Sequence, residues 1–137
     1  MANVFVLEDD PARHRVFREH QMDEDRLTII TSAQEAITHL QDHVYDLIFL
    51  DHDLREEHYG AAEHDDATTG YAVAKWLADN PTKSEGAPVV IHSFNPVGAK
   101  RMFDTLHDAN RLAYLVPFNQ VALHLRMLAE RRRNATN

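Results

Sequence analysis

The sequence predicts a single α/β domain, a three-layer αβα sandwich around a five-stranded parallel sheet of strand order 2-1-3-4-5. Short apolar runs alternate five times with amphipathic helical patterns, and this alternation is typical of parallel strands joined by right-handed helical crossovers. The run 47–50 is apolar without interruption, as expected of a strand buried on both faces. A length of 137 residues suits one domain with a substantial core.

The first two βα units carry clear start signals. Residues 3–7 predict strand β1, and Asp10 followed by Pro11 predicts the N-cap and first residue of helix α1. Residues 27–30 predict β2. The pattern at 32–35 is a capping box that opens helix α2.

The remaining units repeat this order around the central strand β3 at 47–50. They comprise helix α3 at 70–77, strand β4 at 87–93, helix α4 opened by Asn95 and Pro96, strand β5 at 112–116, and helix α5 from 118 to about 131. We therefore predict one domain over residues 1–133 and a disordered tail over 134–137. The polar segment 54–69 has no clear periodicity, and loops of this length in compact domains are usually functional or disordered.

Composition excludes several classes of protein. The chain has no cysteine, which excludes disulfides, thiolate nucleophiles and Cys-type zinc sites. The net charge of -8 argues against non-specific DNA binding, which needs clustered Lys and Arg. No apolar run approaches the roughly 20 residues that span a bilayer, and the N-terminus lacks an export pattern. We therefore expect a cytoplasmic protein with no membrane partner.

Carboxylates follow directly after β1 and β3. In the predicted strand order these two strands end at the switch point of the sheet, where open α/β folds bind ligands. Converging carboxylates repel one another unless a cation lies between them, so we predict a divalent-metal site at this edge. Its candidate ligands are Glu8, Asp9, Asp51 and Asp53. The alternatives are that Glu8 is solvated and that Asp53 caps a turn.

Two histidines accompany these acids. His52 follows Asp51, and His92 lies near the end of the fourth apolar run. Since β3 and β4 are predicted neighbours, we expect the two rings to meet across one cleft, where each is a candidate metal ligand, general acid or general base beside Asp51. Imidazole among carboxylates favours Mn²⁺, Zn²⁺ or Fe²⁺, whereas an all-oxygen site favours Mg²⁺. The alternative is that a ring packs against a helix.

Ser93, Asn95 and Gly98 form the complementary half of the predicted site. The first turn of a helix offers unpaired N–H groups and a positive dipole end, which favour an anion such as phosphate. Gly98 would allow close approach of that ligand. Ser93 and Asn95 also suit a purely structural role as caps of the helix.

Over nearly its whole length the chain resembles a response-regulator receiver domain. The matching positions are the acids at 8–10, Asp51, Ser93 and Pro117-Phe118, which fall in the receiver's order. The resemblance implies a receiver or flavodoxin-like fold, Mg²⁺ at the acids and a phosphoryl group on Asp51. The chain departs from receivers at Val116, where they carry a lysine that reads phosphorylation, and in the longer segment 54–69.

The segments Leu-Asp-His-Asp-Leu at 50–54 and His-Ser-Phe-Asn-Pro at 92–96 are similar to those of a receiver-derived group, the cyclic-phosphate processing receiver domains. That resemblance implies metal-dependent handling of a phosphate-containing small molecule or of an RNA with a terminal cyclic phosphate. The face formed by α4, β5 and α5 is a common dimer surface in receivers, so it also implies a homodimer as one expected assembly.

Three hypotheses of function follow. The leading one is a metal-dependent phosphoesterase or phosphate-ligand-processing domain acting on cyclic (nucleotide) phosphates at the carboxyl edge of the sheet. The second is a signalling receiver that accepts a phosphoryl group on Asp51. The third is a catalytically silent interaction module that uses the acidic segment 54–69.

Overall fold

The computed structural model describes residues 2–54 and 68–136. Its centre is a five-stranded parallel sheet of order β2-β1-β3-β4-β5, which confirms the predicted fold class. The strands are β1 Asn3–Leu7, β2 Arg26–Ile30, β3 Leu47–Leu50, β4 Val89–Ile91 and β5 Ala113–Leu115. The strand β4 is shorter than the predicted 87–93, although the amide of His92 still donates to Leu50 O at 3.0 Å.

The strand register determines which side chains emerge together. Leu7 pairs with Leu50, and Leu50 pairs with Ile91. The next residue along each of these strands is therefore level with its neighbours at the carboxyl edge. Glu8, Asp51 and His92 occupy those three positions.

Within the described residues, five helices cover the sheet: α1 Pro11–His20, α2 Ala33–Asp42, α3 Gly70–Asp79, α4 Pro96–Asp108 and α5 Val121–Thr136. The predicted caps form, since the side chains of Asp10, Ser32 and Asn95 each accept a backbone N–H of the first turn. A 3₁₀ turn at Phe118–Gln120 precedes α5. Helix α5 continues past its predicted end near residue 131 into the segment 134–137 that we expected to be disordered. The domain boundary at residue 133 stays a prediction.

Two hydrophobic cores lie on opposite faces of the sheet. Alternate residues of β1 and β3 point to each face, so Phe5 and Ile48 belong to the core under α2, α3 and α4, while Val6 and Phe49 belong to the core under α1 and α5. All four residues of β3 are buried, as predicted for the central strand.

The segment 54–69 lies mostly outside the described residues. Its first residue, Leu54, is an exception to the polar loop expected there, because it is fully buried in the core under α2, α3 and α4. The roles proposed for the rest of the segment, including the acidic interaction surface, fall on residues 55–67 and are not described. Across 2–54 and 68–136, no helix combines the length and the apolar character that crossing a bilayer requires.

Candidate active site at the carboxyl edge of the sheet

Three of the predicted metal ligands converge at the switch point. Glu8, Asp9 and Asp51 each offer a carboxylate oxygen, and these atoms lie within 4.8 Å of one another. They line a cavity of about 250 Å³ together with Asp10, Arg13, Asp53 and Phe94. The sequence thus brings its acids to one place because two neighbouring strands end at the same level.

Glu8 is at the centre of a hydrogen-bond network and is only 1 % exposed, so the alternative of a solvated side chain is wrong. One carboxylate oxygen accepts the amides of Asp9 and Asp10 at 3.0 and 3.2 Å, and the other accepts Arg13 Nη1 at 3.0 Å and His92 Nε2 at 3.2 Å. Burial acts to raise the pKa of Glu8, but the bonds and charges of these partners lower it to about 2. Glu8 is therefore a permanent negative charge.

Asp51 has the opposite electrostatic character. It is 5 % exposed, and its Oδ1 accepts the amide of His52 at 2.7 Å. Burial and the charge of Glu8 raise the pKa of Asp51 to about 8, against the lowering effect of the His52 amide, Arg13 and a hydrogen bond from Ser93. The three carboxylates therefore cannot all be charged at little cost while no cation lies between them, and a divalent ion would relieve that repulsion.

The donor set fits a hard cation. Within the described part of the chain, the cluster of metal-capable groups contains carboxylates and no imidazole. Oxygen ligands of this kind suit Mg²⁺ and Mn²⁺ better than Zn²⁺. Asp53 lies on the cavity wall but does not belong to this cluster.

The Asp53 carboxylate is positioned by His52. The His52 Nδ1–H donates to Asp53 Oδ1 at 2.7 Å, and the Asn95 amide donates to the same oxygen at 3.4 Å. The His52 ring lies against Gly98, where a Cβ atom would come within 2.6 Å of it. The close approach at Gly98 is thus made by His52, which packs under the start of α4.

His92 is buried on the other side of the sheet. Its ring lies 5.6 Å from Phe17 and 5.8 Å from Phe118 between centroids, and burial lowers its pKa. Its Nε2–H is bonded to Glu8, while Nδ1 is buried without a hydrogen-bond partner among the described residues. The expectation that His52 and His92 face each other across one cleft is therefore wrong. Neither ring is among the described side chains that line the acidic cavity.

Asn95 is the N-cap of α4, and Ser93 stabilises the turn that leads into the helix. Ser93 Oγ accepts the amide of Asn95 at 3.0 Å, and Asn95 Oδ1 accepts the amide of Gly98 at 3.0 Å. Pro96 has no N–H, so the first turn of α4 has few free donors left for an anion. The role of Ser93, Asn95 and Gly98 in phosphate binding stays a prediction.

Arg13 is the residue of the site that sequence reasoning missed. Its Nη1 lies 3.0 Å from Glu8 Oε1 and 3.7 Å from Asp51 Oδ2. The guanidinium carbon lies 4.3 Å from the ring centroid of Phe94 and 4.6 Å from that of Phe118. The available signal was its place in the first turn of α1, two residues after Pro11 and close to the acids of β1.

Comparison with solved structures identifies the fold. The chain is similar to a CheY-like response regulator receiver domain from Methanospirillum hungatei (11 % identity, 98 % of each chain covered, TM-score 0.67). It is also similar to the receiver domain of a sensor histidine kinase from Pseudomonas aeruginosa, which has magnesium in its active-site cleft (15 % identity, 94 % of this chain and 98 % of that chain covered, TM-score 0.62). A third similar structure is a Thermotoga maritima response regulator in complex with Mg(2+)-BeF (16 % identity, 93 % of this chain and 99 % of that chain covered, TM-score 0.65). The fold is that of a receiver.

The family is narrower than the fold. Residues 4–108 match the model of the cyclic-phosphate processing receiver domain, so this chain belongs to that family, as its motifs at 50–54 and 92–96 predicted. No curated protein sequence matches the chain.

Proposed function

We propose that this protein is a metal-dependent phosphate-processing domain that acts on cyclic (nucleotide) phosphates at the carboxyl edge of its sheet. The observation that carries the proposal is the carboxylate cluster of Glu8, Asp9 and Asp51, set in the described cavity of a member of the cyclic-phosphate family. The ligand class we propose is a small cyclic phosphate or an RNA with a terminal cyclic phosphate.

We assign the ion to Asp9 and Asp51, with Glu8, which accepts four hydrogen bonds, as the third carboxylate of the cluster. Magnesium in the cleft of a receiver of the same fold supports Mg²⁺, and the oxygen-only donor set supports Mg²⁺ or Mn²⁺ over Zn²⁺. When bound, such an ion supplies a Lewis acid that polarises a phosphoryl oxygen or acidifies water.

The protein's own groups supply the proton chemistry. Asp53 borders the cavity and its carboxylate is 23 % exposed, while the His52 ring behind it is buried and bonded to it. We infer that the Asp53 carboxylate accepts a proton and that His52 orients it, much as a buried partner orients a general base. His92 acts only indirectly: its hydrogen bond holds Glu8 in place, and its own side chain is not among the described residues that line the cavity.

Calorimetric titration with Mg²⁺, Mn²⁺ and Zn²⁺ tests the metal part of the proposal. We expect one ion per chain, and a loss of at least about tenfold in affinity, or roughly 1.4 kcal/mol, in Asp9→Asn and Asp51→Asn. Asp23→Asn is the matched control, because Asp23 is an exposed carboxylate and its substitution changes the net charge equally. Equal affinity in all four proteins would contradict a site at the acids.

Hydrolysis of 2′,3′- and 3′,5′-cyclic nucleotides tests the chemical part. With the ion that binds most tightly, we expect turnover by the wild type and a loss of at least about tenfold in Asp53→Asn. Metal binding without turnover of any cyclic phosphate would reject the esterase activity and leave a binding domain.

One observation favours a second function, a receiver that accepts a phosphoryl group. Asp51 is level with the ends of β1 and β4 and accepts a hydrogen bond from Ser93, and the cation Arg13 lies 3.7 Å from its Oδ2. Intact-mass spectrometry after treatment with acetyl phosphate and Mg²⁺ distinguishes the two functions. A phosphoryl adduct in the wild type that is lost in Asp51→Asn supports the receiver, whereas its absence beside cyclic-phosphate turnover supports the esterase.

A further inference from the structure

Arg13 is a cation built into the acidic cavity. Its side chain is 12 % exposed and borders the same cavity as Glu8, Asp9 and Asp51. Two aromatic rings hold the guanidinium, since its carbon lies 4.3 Å from the ring centroid of Phe94 and 4.6 Å from that of Phe118. Contacts of this kind to ring faces stabilise a cation and fix the plane of a guanidinium.

Arg13 supplies a positive charge that the end of β5 does not supply. Val116, at the position where a receiver carries its lysine, is buried in the core under α1 and α5. Arg13 reaches Asp51 from a different element, the first turn of α1, with Nη1 at 3.7 Å from Oδ2. The site therefore has a cation beside Asp51 although the strand β5 supplies none.

The guanidinium also has donors to spare. Among the described residues, its hydrogen bond to Glu8 and its ion pair with Asp51 both come from Nη1. A guanidinium has five N–H donors in a fixed fork that matches two oxygens of a phosphate. Binding of a divalent ion at the acids would offset their charge and leave those donors for an anion.

We propose that Arg13 binds the phosphoryl oxygens of the ligand and, with the rings of Phe94 and Phe118, forms the anion-binding half of the site. This inference rests on the proposed metal-dependent function and assigns the phosphate contact to α1, in place of the start of α4. The ligand class it favours is a phosphate monoester or cyclic diester with two free oxygens for the fork.

The test is calorimetric binding of inorganic phosphate to the full chain saturated with Mg²⁺, and of Mg²⁺ alone. In Arg13→Gln we expect phosphate affinity to fall at least about tenfold, while Mg²⁺ affinity stays equal or rises because a repelling cation is gone. Arg15→Gln is the matched control, since Arg15 lies on the same helix, is exposed and loses the same charge. Its phosphate affinity should stay within about twofold.

Two further variants keep the test decisive if Arg13→Gln does not fold. Arg13→Lys retains the charge without the fork and should weaken phosphate binding by several fold. Phe94→Ala removes one ring of the clamp at a side chain that is 79 % exposed, and it should weaken phosphate binding without weakening Mg²⁺ binding.

The outcomes separate this inference from the proposed function. Unchanged phosphate affinity in Arg13→Gln, or an equal loss of phosphate and Mg²⁺ affinity, would overturn the role of Arg13 while the metal site stands. A wild type that binds Mg²⁺ but no phosphate would overturn it as well. A wild type that binds no divalent ion would instead reject the proposed function at its first step.

Discussion

The two edges of the sheet use the same kinds of charged residue in opposite ways. At the amino edge, the guanidinium of the buried Arg111 donates four hydrogen bonds to backbone carbonyls at the end of α3 and in the turn that follows it. Asp46 accepts the amide of Asn3 at 2.8 Å, where β1 begins. These five hydrogen bonds each join a charged side chain to a backbone group of the opposite polarity.

At the carboxyl edge, the charges face one another. Glu8, Asp9 and Asp51 converge within 4.8 Å, and Arg13 is the cation placed between two of them. The consequence is visible in Asp51, whose pKa is raised to about 8 by burial and by Glu8.

The difference teaches how to separate structure from function among buried charges. A charge whose partners are backbone groups completes the hydrogen bonding of the fold and stabilises it. A buried carboxylate that is crowded by other carboxylates costs stability while its ligand is absent, which is typical of a functional site. Substitutions at the two edges should therefore change stability in opposite directions.

The largest effect is expected from Arg111→Ala at the amino edge. The substitution leaves the carbonyls of Leu77, Asn80, Lys83 and Ser84 without these donors, and we expect a loss of about 3–5 kcal/mol in the free energy of unfolding. Urea unfolding measures it.

Affinity for Mg²⁺ should be unchanged in whatever fraction of Arg111→Ala is folded, since Arg111 is not among the described residues that line the acidic cavity. A stability loss below about 1 kcal/mol would mean that water replaces the guanidinium easily. It would contradict the claim that Arg111 stabilises the amino edge of the sheet.

The next effect is expected from Asp51→Asn, and it has the opposite sign. In the folded, metal-free protein Asp51 keeps its proton up to a pKa of about 8, whereas an unfolded chain releases it near pH 4. The folded state binds more protons between these values, so its stability falls as pH rises from about 4 to about 8. Asp51→Asn removes this dependence and should gain at least about 1 kcal/mol at pH 8, or roughly 3 °C in Tm.

Thermal unfolding in EDTA from pH 5 to pH 8 measures this effect. Added Mg²⁺ should reverse the order of stability, because only the wild type keeps the full set of ligands, and its binding should release a proton below pH 8. If Asp51→Asn is less stable than the wild type at pH 8 without metal, then Asp51 is satisfied by its protein partners and the edges do not differ as proposed.

Sequence reasoning reached the fold and part of the site. Buried strands, caps such as Asp10 and Asn95, and the convergence of Asp9 with Asp51 follow from local pattern and from the strand order, both of which are readable in one chain. The side of the sheet to which a strand-end ring turns is decided by packing. His92 lies among Phe17 and Phe118, and no periodicity within a few residues encodes that choice.

Arg13 escaped prediction for the same reason. A single arginine in a helix rich in basic residues is ordinarily solvated, and its neighbours Arg15 and Arg18 are exposed. Only the three-dimensional position of Phe94 and Phe118, from two distant parts of the chain, shows that its guanidinium is held in the cavity.

The smallest effect is expected from Asp46→Asn, and it completes the comparison because the chemical change is the same as in Asp51→Asn. Asp46 accepts the amide of Asn3 at 2.8 Å, and an asparagine oxygen can still accept that bond, only without the charge. We expect a loss of about 0.5–1 kcal/mol, measured by urea unfolding at pH 8. The same substitution thus destabilises at one edge of the sheet and stabilises at the other. Two changes of equal sign would show that the polarity of the partners does not decide the outcome.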